Sequence, residues 1–195
     1  MPKRIFILNG HPAETSLSRS LAEAYAQAAE AAGHEVRLAH LNTFAFDMDF
    51  GRAGYSDPKP LEPDLAAFLE HLKWAEHFVL VTPMWWGGLP ARLQGLIERA
   101  FLPGHTFDTR GRAGKMPKPM LSGRSGRVVF TSDTPSWYLR FVYGNPFIKR
   151  IRKQILGFVG IRPARITHFT PASHASQETV NGWLAQVREL ASTGS

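Results

Sequence analysis

Short apolar runs alternate with amphipathic stretches along most of this chain. The apolar runs predict five strands, at residues 3–8, 34–41, 77–82, 126–132 and 164–170. Apolar residues recur at helical spacing at residues 17–32, 61–75, 90–101, 146–157 and 177–191. Because strands and helices alternate, the pattern predicts βαβ units with parallel strands and right-handed crossovers.

The predicted fold is therefore α/β, a three-layer sandwich in which helices cover both faces of a five-stranded parallel sheet. Residues 42–60 and 102–124 lack such periodicity, and residues 133–144 are predicted to form an aromatic-rich loop. A length of 195 residues fits one domain, residues 1–195. In open parallel sheets the ligand binds outside the carboxyl ends of the strands, so the loops after strands one, three and four are the candidate site.

Composition excludes several classes of site. The chain has no cysteine, which rules out disulfides and thiolate chemistry and agrees with a cytoplasmic location. Its eight histidines show no metal-binding spacing, so no metal site is predicted. No apolar run approaches the length of about 18 to 20 residues that spans a bilayer, so no transmembrane segment is predicted.

The net charge is +7, and basic residues are concentrated in one segment in the second half of the chain. The basic residues concerned are Arg140, Lys149, Arg150, Arg152 and Lys153. No helix-turn-helix, zinc-finger or RNA-binding signature accompanies them. A solvated helix face or an anion-steering surface is therefore favoured over a nucleic-acid site.

The loop after the first strand carries three hydroxyl side chains at the start of a helix. Thr15, Ser16 and Ser18 lie just before or inside its first turn. A helix N-terminus offers unpaired N–H groups and a positive dipole end, which suits a phosphate. Simple N-capping by serine or threonine is an equal alternative. Neither GxGxxG nor GxxxxGK[ST] is present, so the usual nucleotide fingerprints do not apply.

The loop after the third strand, residues 83–90, carries the more specific pattern. Met84, Trp85 and Trp86 follow a buried strand directly, where they would face solvent. Exposed aromatic surface of this size usually marks a binding site, and a flavin ring suits contact with tryptophan. Gly87 and Gly88 would allow backbone N–H groups to approach the ring's heteroatoms. Ordinary packing of either tryptophan, in the core or between subunits, is the alternative.

The loop after the fourth strand combines hydroxyls, a carboxylate and aromatic residues. Tyr138 could line a substrate pocket there, whereas Asp133 could merely close an Asx-turn. Serine, histidine and aspartate also raise the possibility of a hydrolase. No G-x-S-x-G elbow exists, however, and Ser132 lacks that context.

Together these segments resemble one known family. The resemblance rests on residues 9–12 and 15–18, on residues 83–91, and on residues 93–95 and 98–101. They are similar to the flavodoxin-like NAD(P)H:quinone reductase family, which includes DT-diaphorase and bacterial drug-activity modulators. The resemblance implies a flavodoxin-like sandwich with strand order 2-1-3-4-5. It also implies a homodimer in which residues 42–60 lie at the interface.

The same resemblance implies a flavin, with FAD favoured and FMN possible, and NAD(P)H as electron donor. A quinone-like acceptor would then take the hydride in a ping-pong reaction. Residues of the family that match His11, Thr15, Ser16, Leu17 and Ser18 hold the flavin phosphates. Those that match Pro83, Met84, Trp85, Trp86 and Gly87 surround the isoalloxazine. Thr131, Ser132 and Asp133 would meet its pyrimidine edge.

In the family a tyrosine and a histidine balance charge on the reduced flavin. Tyr138 matches that tyrosine and is the predicted catalytic residue, whereas no histidine matches. Thr131-Ser132-Asp133-Thr134 departs from the family's Thr-Thr-Gly-Gly, and Ser18 replaces its usual asparagine. The rival hypothesis is a flavin- or nicotinamide-sensing regulatory module without turnover. A nucleic-acid binder is disfavoured because it has charge alone in its support.

Overall fold

The computed structural model describes residues 1–51, 57–110 and 116–194, and a five-stranded parallel sheet forms its centre. The strands are β1 (Arg4–Asn9), β2 (Glu35–His40), β3 (His77–Pro83), β4 (Ser125–Thr131) and β5 (Ala164–Phe169). Their order across the sheet is β2-β1-β3-β4-β5, with every neighbouring pair parallel. This confirms the predicted order 2-1-3-4-5.

The helices lie on both faces of the sheet. They are α1 (Leu17–Ala31), α2 (Pro63–Trp74), α3 (Ala91–Ala100), α4 (Ser136–Phe141), α5 (Pro146–Lys149), a π-helix (Arg150–Leu156), α6 (Gly157–Val159) and α7 (Gln177–Ser192). Ser16 and Ser176 cap α1 and α7 by accepting the N–H groups of Arg19 and Thr179. Pro63 begins α2, where a missing N–H has no cost.

Two apolar layers result from the alternation of side chains along each strand. Ile5 and Ile7 of β1 pack with α1 and α7, whereas Phe6 and Leu8 point into the layer beneath α2 and α3. Both faces of the central strands are thereby buried. Such burial explains why these strands appear in the sequence as nearly continuous apolar runs.

Residues 133–144 contain a helix where the sequence indicated only a loop. α4 begins after Pro135 and buries a single side chain, Leu139. One apolar contact in six residues gives too little periodicity to indicate a helix. Residues 102–124 likewise contain a short antiparallel pair, Phe107–Asp108 with Lys118–Pro119.

The helix predicted at residues 146–157 is present, but its centre is a π-helix. Phe147, Ile151 and Leu156 are buried against the sheet. The spacing of five between the last two fits the wider π turn. Apolar periodicity alone does not distinguish this from an α-helix.

Residues 42–51 are held against α3 by a buried arginine. Arg99 is fully buried, and its guanidinium donates to the carbonyl oxygens of Asp47 (2.6 Å) and Pro60 (2.9 Å). It also forms a two-pronged pair with the Glu62 carboxylate at 3.1 and 2.9 Å. The segment predicted to form a dimer interface is therefore anchored on both sides of residues 52–56, which lie outside the described residues.

None of the helices in the described ranges has the length and apolar character needed to cross a membrane. The described residues also contain no group of three histidine or acidic side chains that could hold a metal ion.

Candidate functional site

The loops after β1, β3 and β4 meet at the carboxyl edge of the sheet and enclose two adjoining cavities of about 290 and 450 Å³. The first cavity is lined by His11, Thr15, Ser16, Leu17, Ser18, Pro83, Met84, Trp85, Thr131, Ser132, Asp133, Ala172 and Ser173. The second is lined by Met84, Trp86, Gly87, Ser132, Asp133, Thr134, Leu139, Tyr143, Pro146 and Phe147. Every cofactor-binding residue predicted from the sequence lines one of the two cavities.

The N-terminus of α1 forms one end of the first cavity. Ser16 Oγ accepts the N–H of Arg19 at 3.1 Å, so this serine does cap the helix. Ser18 is buried in the first turn, and Thr15 is exposed just before the cap. The first N–H groups of a helix have no partner within it and carry its positive dipole end. This end of the cavity therefore suits a phosphate.

His11 joins the first loop to the third. Its N–H donates to Asn9 Oδ1 at 3.2 Å, and its Nδ1 accepts the N–H of Ala13 at 3.0 Å. Its ring meets that of Trp85 edge to face, with centroids 5.3 Å apart. Burial lowers the pKa of His11, which favours the neutral form of the ring.

Residues 85–88 form a tight turn at the centre of the site. Trp85 and Gly88 exchange backbone hydrogen bonds of 3.0 and 2.8 Å. Trp86 and Gly87 occupy the two central positions with φ of 49° and 73°, which defines a type I′ turn. The left-handed conformation is costly for a bulky residue such as Trp86 and is typical of functional sites.

The turn confirms the prediction that the two tryptophans face solvent. It also shows that Gly88 does not have the free N–H group that the sequence suggested for it. Trp86 is fully exposed, and Trp85 is 45% exposed. The N–H of Gly88 is taken up within the turn by Trp85 O. Gly87 is therefore the better placed of the two glycines to offer an N–H group to a ligand.

A histidine that the sequence did not single out lies behind the loop after β4. His168, on β5, stacks on Phe130 with centroids 4.2 Å apart. Its Nε2 lies 2.8 Å from Ser132 Oγ, and its Nδ1 lies 2.9 Å from Ser136 Oγ. Burial lowers the pKa of His168 to about 4.

These contacts assign the tautomer of His168. Ser132 Oγ donates to Thr134 O at 3.2 Å, so it accepts the Nε2–H of His168. Nδ1 then accepts the hydroxyl of Ser136. His168 therefore orients Ser132, which lines both cavities. The sequence contains no signal for this contact, because its partners lie 36 and 32 residues away.

Asp133 connects the loop after β4 to the segment after β5. Its two carboxylate oxygens accept Ser173 N–H at 2.7 Å and Ser173 Oγ at 2.6 Å. These hydrogen bonds lower its pKa. In the described contacts, Asp133 therefore joins two segments that are 40 residues apart in sequence, whereas the sequence had allowed a local Asx-turn. Ala172 and Ser173 join the site through this tie.

Tyr138, the predicted catalytic residue, lines neither cavity. It lies on α4 with its ring 4.9 Å from that of Tyr143, at an interplanar angle of 86°. Tyr143 is the residue that lines the second cavity, beside Trp86 and Ser132. Tyr138 lies within α4 whereas Tyr143 lies two residues beyond its end, and the sequence does not specify which of the two borders the cavity.

The arrangement suits a ligand with an anionic end and a flat aromatic body. The first cavity offers a helix N-terminus with hydroxyls, and the two cavities share Met84, Ser132 and Asp133. The Trp85–Gly88 turn borders that shared region. The helix N-terminus therefore fits a phosphate and the turn fits a flat aromatic ring, which are the two parts of a flavin nucleotide.

Comparisons with known proteins agree with this geometry. A family model described as a flavodoxin-like fold matches residues 3–191. The chain is 27% identical over 189 residues to an FMN-dependent NADH:quinone oxidoreductase of Ruegeria pomeroyi, covering 88% of this chain and 90% of that protein. It is 28% identical over 195 residues to a protein of the same name from Nitratidesulfovibrio vulgaris, covering 91% and 90%.

A solved structure is similar over nearly the whole chain. The NAD(P)H:quinone oxidoreductase from Methanothermobacter marburgensis superposes with a TM-score of 0.80, covering 99% of this chain and 96% of that one. The sequence identity is 18%. At that identity the likeness supports the fold alone.

Proposed function

We propose that this chain, which belongs to the flavodoxin-like family whose model matches residues 3–191, is a flavin-dependent NAD(P)H:quinone oxidoreductase. The observation that carries the proposal is the convergence of the loops after β1, β3 and β4 on two adjoining cavities at the carboxyl edge. The two relatives described above are both named as enzymes of this kind. A regulatory module without turnover has no comparable support.

FMN is the cofactor we propose, in place of the FAD that the sequence resemblance favoured. Both bacterial relatives are named FMN-dependent. The first cavity has one helix N-terminus beside Thr15, Ser16 and Ser18, which is enough for a single phosphate. The same relatives are named for NADH, which we propose as the donor.

When bound, FMN would supply the hydride chemistry, accepting a hydride from NADH and later yielding it to the quinone. The chain's own residues would bind and orient. α1 would hold the phosphate, and Trp85, Trp86 and Gly87 would border the ring. The helix dipole at α1 would offset the phosphate charge.

Polar groups of the loop after β4 would act at the pyrimidine edge of the ring. The N–H of Ser132 is bonded to Phe169 O at 3.1 Å, and its hydroxyl donates to Thr134 O while it accepts from His168, so one lone pair of that oxygen is left to accept an N–H group of a ligand. We propose that this hydroxyl, held by His168, hydrogen-bonds the flavin. Tyr143 replaces Tyr138 as the proposed phenol beside the second cavity, where donor and acceptor would alternate.

Asp133 places a carboxylate in the loop after β4, where the family's Thr-Thr-Gly-Gly segment has a glycine. A negative charge near the ring disfavours added negative charge on it. The ties to Ser173 disperse that charge through hydrogen bonds. We propose that Asp133 contributes to a low reduction potential of the bound flavin.

We also propose that the 195 residues form a single catalytic domain that acts in the cytoplasm as a homodimer. The anchored residues 42–51 support the dimer. Phe50 lines a groove of about 480 Å³ with Phe101, Phe107 and Phe158, a largely aromatic and aliphatic surface with Glu98 and Gln154 at its side that a second copy could cover. Light scattering of the purified protein distinguishes dimer from monomer.

The activity is tested with purified protein reconstituted with FMN. We expect a flavin absorbance spectrum, release of a flavin with the mass of FMN, and oxidation of NADH that depends on menadione. Trp85→Ala should reduce both flavin retention and turnover. Arg188→Ala, an exposed change on α7, is the control and should alter neither. Failure to bind flavin after reconstitution would refute the proposal, and binding without turnover would favour the regulatory module.

A further inference from the structure

Large apolar side chains are exposed in and just after α4 and in the turn at residues 85–88, and two of them, Trp86 and Tyr143, line the second cavity. Those that are more than half exposed are Trp86, Trp137, Phe141, Val142 and Tyr143. α4 buries Leu139 on its inner side and presents Trp137 (59% exposed) and Phe141 (73% exposed) outward. A cluster of this kind is uncommon on a monomer and marks a surface that meets a partner.

Cations are interleaved with these aromatic residues. The guanidinium of Arg140 lies 5.2 Å from the centre of the Phe141 ring. The Nζ of Lys149 lies 3.8 Å from where a Cβ would stand on Gly144, the neighbour of Tyr143. The apolar and basic groups therefore adjoin one another at Arg140 and Lys149.

The basic region continues from Lys149 along the π-helix. A cleft of about 570 Å³ is lined by Ile148, Lys149, Arg152, Lys153, Arg162, Pro163 and Ala164, a set with four cations and no carboxylate. Among the ion pairs of the described residues, none involves Arg140, Lys149, Arg152 or Lys153. We call the seven residues Trp137, Arg140, Phe141, Val142, Lys149, Arg152 and Lys153 the docking surface.

The docking surface is held by a well-packed support. Leu139, Phe147, Ile151 and Leu156 are buried beneath it, each at most 4% exposed. The π-helix therefore fixes Arg152 and Lys153 on its outer side. The exposed positions are set by packing and do not depend on a mobile chain end.

We propose that the docking surface binds an anionic lipid bilayer. Aromatic rings prefer the interface between headgroups and acyl chains, and phenylalanine and valine gain by leaving water. Lysine and arginine beside them are attracted to anionic headgroups. The net charge of +7 adds long-range attraction to such a membrane.

A second copy of the chain fits the docking surface less well than a bilayer. Two-fold contacts bring the same patch of both subunits together, so the cations of one copy would face a patch that also carries cations and no carboxylate. Like charges across an interface oppose association, whereas anionic headgroups complement them. The groove beside Phe50 is the surface proposed above for a second copy, and it lies among different residues.

The position of the docking surface gives membrane binding a consequence for the site. Tyr143 adjoins Val142 and lines the second cavity, so that cavity opens beside the membrane-facing residues. An apolar acceptor dissolved in the bilayer would reach it without crossing water. Vesicle binding itself requires neither flavin nor turnover, so it is testable even if the proposed function fails.

The test is sedimentation of the purified full chain with lipid vesicles. We expect binding to vesicles of phosphatidylcholine and phosphatidylglycerol in equal amounts, little binding to phosphatidylcholine alone, and weaker binding as salt is raised. Arg152→Gln/Lys153→Gln should weaken vesicle affinity about thirtyfold. Phe141→Ala should weaken it about tenfold. Lys73→Gln/Arg188→Gln removes the same charge elsewhere and should bind nearly as tightly as the unaltered chain.

Four results of the binding experiments would overturn the proposal. They are no binding to anionic vesicles, equal binding to both vesicle types, equal losses in the Arg152/Lys153 and Lys73/Arg188 variants, and tighter binding of a single-stranded RNA oligonucleotide than of vesicles. Conversion of a dimer to a monomer by Phe141→Ala in light scattering would also overturn it, because a second copy would then cover the surface. Phe141 is mostly exposed, so its replacement leaves the core intact.

Discussion

Replacement of Arg99 tests how the structure holds residues 42–51. Arg99→Met keeps much of the side-chain volume but removes the guanidinium from a fully buried position. The change leaves the carbonyls of Asp47 and Pro60 without their donor and the Glu62 carboxylate without its cation. Unlike a surface ion pair, this one has a partner that is entirely out of water.

The expected magnitude follows from the burial of the two partners. Removing one member of a buried pair costs about 3 to 5 kcal/mol, and the lower value applies because Glu62 keeps 25% of its side chain exposed. We therefore expect a loss of about 3 kcal/mol. For a chain of this size the midpoint of thermal unfolding should fall by about 6 to 12 °C.

Urea unfolding of Arg99→Met, Glu62→Gln and the double variant measures the coupling directly. The double variant should lose less stability than the sum of the single variants. Arg92→Met is the matched control on the same helix, because Arg92 is only partly buried and donates to Phe44 O. A loss below about 1 kcal/mol for Arg99→Met, or a loss equal to that of Arg92→Met, would refute the reasoning.

Three further predictions concern the site and the pH dependence of stability. Trp86→Asn relieves a left-handed tryptophan and should raise the unfolding free energy by about 1 kcal/mol while it weakens FMN binding; a lower urea midpoint would contradict this. Burial lowers the pKa of His77 to about 3 from 6.5, so below pH 6.5 the unfolded chain takes up a proton that the folded chain refuses. His77 should therefore account for about 2 kcal/mol of the stability lost from pH 7 to pH 5, and a His77→Gln variant with an equally steep fall would disprove the assignment. His168→Phe keeps the stack on Phe130 but loses both serine contacts, so FMN affinity should drop about tenfold in a fluorescence titration. Unchanged affinity would show that Ser132 does not need His168.

The sheet and the placement of its loops were predictable because buried parallel strands leave a plain signal. Phe78-Val79-Leu80-Val81 has no polar alternation, and residues 83–88 follow it directly. Once the strands are in order, the rule that ligands bind at their carboxyl ends selects the three loops. His11, Ser18 and Trp85 come together for that reason.

The features that the sequence did not predict depend on short elements or distant partners. α4 buries only Leu139, so its periodicity is too weak to detect. Tyr143 lies two residues beyond α4, so its place beside the second cavity depends on how the chain leaves that helix. His168 gains its role only when β5 pairs with β4 and brings it beside Ser132.

The central claim is that α1 holds the phosphate of FMN at the carboxyl edge of the sheet. Thr15→Asp tests it, because an acidic residue beside a helix N-terminus is compatible with folding but repels a bound phosphate. Gln186→Glu adds the same charge at an exposed position of α7 and is the control. Flavin-free protein is titrated with FMN and with riboflavin, which lacks the phosphate.

We expect Thr15→Asp to weaken FMN binding at least tenfold while riboflavin binding stays the same, since two like charges at this separation repel strongly. Gln186→Glu should leave both affinities unaltered. Equal FMN affinity in Thr15→Asp and Gln186→Glu, or no FMN binding by the unaltered chain, would contradict the claim.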